Sequence, residues 1–566
     1  MTDLEIPYEK DRHGHYRFFE ILPGALSYTV LLLPLLLSFI IVPIAGQPTP
    51  LSVPFILIYL LIYFVRTSVA GPIRTIAGYI MHRKHMRLNW AELLKDVEIG
   101  KATSVSTERP KWHFENMARA TTFDKNYKPS EIYHAVIIAT VNESREVLEP
   151  TVQAVLANNY DPKKMILVFA YEARAGHATE ERVQELLSLY GNKFSHAMMV
   201  KHPANIPGEV IGKGGNVTCA GRELQKYLHT AHIDPANVIV TTLDADNRPD
   251  KQYFAATSYL YCVAPNPLRA SYQPIPMFTN NIWDVPTLMR VIAVSNNLFY
   301  FVLSQRPHLQ RNFSAHSQSM QSLIDMDFWS VRTIVEDGHH FWRSYFRYDG
   351  DYRVYPIFVP IYQDAVLADG YIRTMKAQFI QLRRWTYGAS DIAYIADKAF
   401  WHKNNVPKWD ALAKLLRSLE GHVTWATGTL LVFGAAFIPP LVQPNLYGAL
   451  ILPNMVSSFQ RVGIAFLLIS VYVSLVTLPP RPARYRRHRS VLMLLQWALA
   501  PVTAIGYGCT AAFYSQTRLM FRMYISKFDV TEKAVVTASG KTISTAADPN
   551  SGKKRRGLPL RRSKDS

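Results

Sequence analysis

Two apolar runs near the start of the chain, Ser27–Ile44 and Leu51–Ala70, leave few folds open. Each is long enough to cross about 30 Å of hydrocarbon as a helix, and both are expected to do so. Arg66 stands near enough to the end of the second run to snorkel. The connector AGQPTP carries no charge and reads as the outside turn of a hairpin. After the second run, Arg74, Arg83, Lys84, Arg87 and Lys95 place the next stretch of chain in the cytoplasm, because basic loops stay on that side. Apolar runs return at His422–Val442, Val462–Leu478 and Val491–Phe513. Pro439-Pro440 makes the outer end of the first irregular. The loop after it carries only Arg461 and reads as external, whereas five arginines between Arg481 and Arg489 mark the inside. A simple crossing by Val491–Phe513 would put the tail outside, yet the tail's bases (Lys553–Arg556, Arg561, Arg562 and Lys564) belong inside. A crossing and a re-entrant or interfacial segment both stay open there.

This pattern divides the chain into a cytoplasmic segment 1–26, two transmembrane helices 27–70, and a juxtamembrane amphipathic helix with linker 71–130. A soluble α/β domain ending in an interfacial helix occupies 131–420. A transmembrane region 421–513 and a basic cytoplasmic tail 514–566, partly disordered, complete it. The expectation is a multi-pass protein of the cell membrane. Lysine plus arginine outnumber aspartate plus glutamate by 62 to 43. Because the arginine clusters flank the apolar runs, the excess reads as loops held against an anionic leaflet, with no nucleic-acid partner. Cys219, Cys262 and Cys509 lie too far apart for a metal motif and read as inert thiols.

Within 131–420, apolar strand-like runs alternate with helix-like ones. YHAVIIAT precedes a polar turn and a helix, MILVFAYE precedes another, and VIVTTLDADN comes later. Such alternation argues a largely parallel sheet, whose ligands gather at the carboxyl ends of the strands. Thr140–Glu143, Glu172 and Asp244–Asp246 all fall at such ends. A strand tipped by Asp244-Ala245-Asp246 offers two carboxylates to a divalent cation, although DADNRPD is also good turn chemistry. Glu336-Asp337 offers a base, or simply the acidic first turn of a helix. His339 and His340 would point apart on a helix and have no evident third ligand. Gln381, Arg384 and Trp385 share one helix face, from which Arg384 could grip a diphosphate and Trp385 offer a plane to a sugar ring. Arg and Trp also anchor interfacial helices, a part that suits Arg383. Lys213 opens a Gly-Gly turn into a helix, a phosphate cradle by its backbone N–H groups.

Asp244-Ala245-Asp246, Glu336-Asp337 and Gln381-x-x-Arg384-Trp385, in this order and between membrane segments, resemble the membrane-bound family 2 glycosyltransferases, which include the cellulose, chitin and hyaluronan synthases. The resemblance covers roughly 131–420 and the flanking helices. It implies a cytosolic, nucleotide-sugar-binding GT-A-like α/β domain inserted between N- and C-terminal transmembrane helices. It also implies inverting transfer with Mg²⁺ or Mn²⁺, with Asp337 as catalytic base and Asp246 on the metal. Thr140, Asn142, Glu143, Glu172, Lys213, Asp244 and Arg384 would hold the donor, a UDP-sugar first, and Gln381 and Trp385 the acceptor. Glu172 stands where the family commonly has Asp. The segment KFDVTEKAV is similar to the family's Phe-x-Val-Thr-x-Lys segment. NFSAHSQSMQSLIDMDFW departs from the small Gly/Cys-rich acceptor loop and Arg-Arg of the polymer synthases. The expected product is a β-linked polysaccharide. The alternatives are one sugar added to a membrane lipid, as in ceramide glucosyltransferases, and a non-catalytic binding or transport subunit.

Overall fold

The computed structural model describes residues 4–101, 109–536 and 542–544. The basic cluster at Lys553–Lys564 and part of the linker after Lys101 lie outside the described residues. Among those described, six helices are long and apolar enough to cross a membrane: Gly14–Leu37, Ser52–Met86, Thr287–Ser304, Lys408–Val442, Tyr447–Val476 and His488–Met520. Five of them flank a mixed α/β domain in chain order, and Thr287–Ser304 lies within it.

The first two runs do not become two equal helices. The helix Gly14–Leu37 stops before the apolar run does, and Ile41–Ile44 (β1) pairs antiparallel with Gln47–Pro50 (β2). Ala45 and Gly46, both at positive φ (49° and 78°), make the two-residue turn. Left-handed residues at both central positions match the right-handed twist of paired strands, so the chain reverses here and re-enters as Ser52–Met86. The second helix is thus longer than its apolar run. The segment expected to lie along the membrane up to Gly100 divides in two. The helix Trp90–Ile99 buries Trp90, Leu93 and Leu94 in the core of the α/β domain, so protein covers its apolar face. Asn89 caps its start, with its Oδ1 accepting from the Glu92 N–H at 3.4 Å, and Gly100 ends it at φ 70°.

Near the carboxyl end, Arg461 lies inside the helix Tyr447–Val476 and not in a loop. Its guanidinium donates to Ser458 Oγ and the Ser457 carbonyl of its own helix, which satisfies it in place. The turn expected outside shortens to uncharged residues 443–446. Pro501 breaks His488–Met520 into short α, 3₁₀ and π pieces. Its start is tied to the domain by Arg484 and Tyr485, both on Asp284, and its end by Ser515, whose Oγ donates to the Arg383 carbonyl at 2.8 Å. Both ends therefore meet the same side of the molecule.

The described residues of the domain build an eight-stranded sheet. Tyr133–Thr140 (β3), Met165–Glu172 (β4), His196–His202 (β5) and Val238–Asp244 (β6) are parallel, in the order β5-β4-β3-β6. Helices cover both faces, so β4 is buried along its whole length and apolar up to its last residue, Glu172. Arg248–Pro249 (β7), Ala270–Phe278 (β8), His316–Ser319 (β9) and Arg353–Gln363 (β10) complete the order as β6-β9-β8-β10-β7. β9 runs antiparallel to β6 and β8, β8 is parallel to β10, and β10 is antiparallel to β7.

Candidate active site

β6 is buried up to Asp244 and then turns. Asn247 makes that turn: its Oδ1 accepts from the Asp244 N–H at 2.9 Å, and its own N–H donates to the Asp244 carbonyl at 3.0 Å. Strand alternation therefore ends at Asp244, and the two aspartates take different partners. Asp244 Oδ1 meets Lys213 Nζ at 2.6 Å, and Asp246 Oδ1 meets Lys533 Nζ at 2.7 Å. Against the cost of burial, Lys213 and Lys533 together hold the Asp244 carboxyl down to about 2.

Lys213 is the first residue of the helix Lys213–Thr230 and also donates to the Ser314 carbonyl at 3.1 Å. Gly214 is required beside it. A Cβ there would lie 2.3 Å from the Ser330 carbonyl oxygen and 3.2 Å from Glu336 Cβ, so a larger residue would push the Lys213 turn away from the acids.

Glu336 and Asp337 occupy the first turn of the helix Glu336–Arg347. The capping reading and the acid–base reading thus describe the same place. Burial and the charge of Asp337 push Glu336 up to about 8, with Lys213 opposing. Burial also raises Asp337, while Lys213, the Gly338 N–H on its Oδ1 at 2.7 Å, and Arg384 pull it back. The pair lines a narrow cavity with Lys213, Thr242, Ser314 and His316. The neighbouring histidines are engaged elsewhere, His339 with Asp391 and His340 with Gln318, each at 2.8 Å.

The helix Tyr371–Thr386 brings up Arg384. Burial lowers this guanidinium to about 10 against the attraction of Asp244, Glu336 and Asp337. It stacks 3.8 Å from the Phe528 ring centre and donates to the Asp529 carbonyl at 2.6 Å. Arg383 takes the Asp529 carboxylate. The KFDVTEK segment therefore lies across the site, with Lys533 at its end on Asp246. Sequence reasoning does not single out Lys533 as a partner of Asp246, although the motif similarity of its segment is a signal that could find it.

Other expected residues stand at varied distances from this cluster. Glu143 is buried, feels Lys533, and accepts from Thr140 Oγ1 at 2.8 Å. Glu172 ends β4 and pairs with Arg174. Asn142 adjoins Glu143 in the loop after β3. Gln381 accepts from Gln378 Nε2 at 3.1 Å, and Trp385 lies tilted against Phe278 at 6.2 Å. A shallow hollow beside β5, lined in part by Lys163, Gln184 and His196, contains no acid. Among the described residues no group of three or more His, Cys, Asp or Glu side chains could cage a metal. Asp246 accepts through Oδ2 from the N–H of Asp364 at 3.2 Å, so a second carboxylate lies beside it. Burial and the Asp246 charge push Asp364 up to about 6. Nothing in the local sequence around Asp364 signals that contact.

No protein-family model matches the chain, and no curated protein matches it. Among solved structures it is similar to the mannosyltransferase PcManGT from Pyrobaculum calidifontis in complex with GDP-Man and Mn²⁺, at 13% identity, covering 82% of this chain and 99% of that one, with a TM-score of 0.40. It is similar to S. aureus TarS 1-349 in complex with UDP-GlcNAc, at 11% identity, covering 73% and 96%, with a TM-score of 0.35. It is also similar to GalNAc-T7 with UDP, GalNAc and Mn²⁺, at 10% identity, covering 56% and 67%, with a TM-score of 0.32. These superpositions are loose, so function rests on the chain's own side chains.

Proposed function

We propose that this chain is a membrane-integral, metal-dependent, inverting glycosyltransferase of GT-A-like architecture. Its α/β domain faces the cytoplasm and takes a sugar from a nucleotide-sugar donor, a UDP-sugar first, to extend a β-linked polysaccharide. One observation carries the reading: a carboxylate of raised proton affinity, Asp337, stands in one cluster with two cations, Lys213 and Arg384. That is the pairing that proton removal beside a departing diphosphate needs.

On this reading Asp337 accepts the proton of an acceptor hydroxyl while that oxygen attacks the anomeric carbon. The bond from the anomeric carbon to the diphosphate breaks, and its electron pair leaves on the diphosphate oxygen. Lys213, held charged by Asp244, Glu336 and Asp337 despite its burial, and Arg384 face that oxygen's charge. A divalent Mg²⁺ or Mn²⁺ at Asp246 would add positive charge for the leaving diphosphate. The donor set of Asp246 suits such an ion, because an ammonium already pairs with that carboxylate. Thr140, Asn142, Glu143 and Glu172, at or near the carboxyl ends of β3 and β4, would serve the nucleoside, and Gln381 and Trp385 the acceptor end.

The stretch that departs from the polymer synthases' acceptor loop contains β9, a strand buried at every residue. The departure from that loop motivates a second reading, a lipid acceptor that receives a single sugar. Full-length protein in detergent, given Mg²⁺ or Mn²⁺ and a panel of UDP- and GDP-sugars, should release nucleotide. Asp337→Asn should slow that release by about 10²–10⁴-fold while UDP still binds. Product size separates polymer from single addition. No release from any donor would show a non-catalytic binding subunit instead.

A further inference from the structure

β7 and the end of β10 pair antiparallel, with Pro249 opposite Ile361 and Arg248 opposite Tyr362. Continuing that register by two residues sets Asp364 opposite Asp246, and the Asp364 N–H does reach Asp246 Oδ2 at 3.2 Å. Like charges facing each other across a ladder repel. Asp246 is buried; Asp364 is half-buried and its carboxyl is met by Asn280, yet its Oδ1 is sealed from solvent with no hydrogen-bond partner. An enclosed carboxylate oxygen left unpaired is costly, and it marks a place where a cation or a donor belongs. The positive charges at hand are Lys533, on Asp246 Oδ1 at 2.7 Å, and Arg248, which acts on Asp364 from the neighbouring strand.

We infer that Asp246 and Asp364 together form a two-carboxylate site for a divalent cation, with Asp364 the second protein ligand and the Lys533 ammonium standing in the cation's place. Mg²⁺ and Mn²⁺ are content with oxygen ligands, and Mg²⁺ typically takes one or two carboxylates and completes its shell with water and phosphate. A site of two carboxylates, without a larger cage of ligands among the described residues, suits this chemistry. The assignment of this ion to the donor's diphosphate rests on the glycosyl-transfer reading, whereas its binding does not.

The test is Mn²⁺ binding to the full-length protein in detergent, read from loss of the free-ion electron paramagnetic resonance signal, with and without UDP. The wild type takes up the ion. Asp246→Asn and Asp364→Asn each weaken uptake tenfold or more, and Lys533→Met tightens it several-fold by removing the competing charge. Asp364→Asn relieves a repulsion and so should not unfold the domain. Wild-type affinity in Asp364→Asn alongside loss in Asp246→Asn would overturn the assignment of Asp364. Unchanged affinity in Lys533→Met would overturn the claim that its ammonium occupies the ion's place. No uptake by the wild type in either condition would overturn the site itself. Mn²⁺ binding with no nucleotide release from any donor would overturn the glycosyl-transfer reading and leave the carboxylate pair standing.

Discussion

Glu336 and Asp337 are neighbours in the chain and compete for one proton. A helix amino terminus favours their charge, but burial and mutual repulsion win, and Glu336 rises from 4.5 to about 8. Across that interval the folded protein binds more protons at Glu336 than the unfolded chain does. The stability this residue contributes is complete below its unfolded value and is lost as pH rises through its folded value. Glu336→Gln should therefore lose less thermal stability than the wild type between about pH 5 and pH 9 in detergent, as read by melting temperature. Asp364, raised as well, is common to both proteins and drops out of the difference. Equal slopes for the two would mean that Glu336 is ionised in the folded state. Arg384 makes a parallel point about Trp385. The two adjoin in sequence and take different partners, the charge of Arg384 meeting the acids and the Trp385 ring meeting Phe278.

At the scale of elements, the apolar strands β3, β4 and β6 are plain from composition because both of their faces are covered. β8 and β10 are not. Each contains two prolines, which lack the N–H a ladder needs and argue against interior strands. The sheet accommodates them by a register shift between Ile357 and Pro360, a break that shows only once β8 is alongside. The same limit applies to His488–Met520. Its apolar run is long enough to cross, but both of its ends contact the α/β domain. Single cysteines at Arg487 and Met523 should therefore react with an impermeant maleimide from the same face of sealed vesicles, and one at Asn445 from the opposite face. Labelling of Arg487→Cys and Met523→Cys from opposite faces would show a true crossing.

For the whole molecule, the carboxyl-terminal segment closes over a site built from strand ends far upstream, and the first residues are also strapped to the domain. Glu5 accepts from Ser330 Oγ at 2.8 Å and faces Arg343, and the Ile6 carbonyl accepts from Arg332 at 3.0 Å. Ligands that bind only this assembled state should stabilise all of it. UDP with Mn²⁺ at about 100 times the dissociation constant should add ~2.7 kcal/mol, seen as a raised melting temperature that grows with ligand concentration. Asp246→Asn should blunt that gain. Membrane character, the α/β alternation and the acids at strand ends can all be read along the chain, because hydrophobic length, period and turn chemistry are local properties. The pairing of Asp364 with Asp246, the reach of Lys533 and the side to which the last apolar run returns depend on strand register and on contacts between residues more than a hundred positions apart. Local sequence does not encode such contacts; packing the sheet and its straps together does.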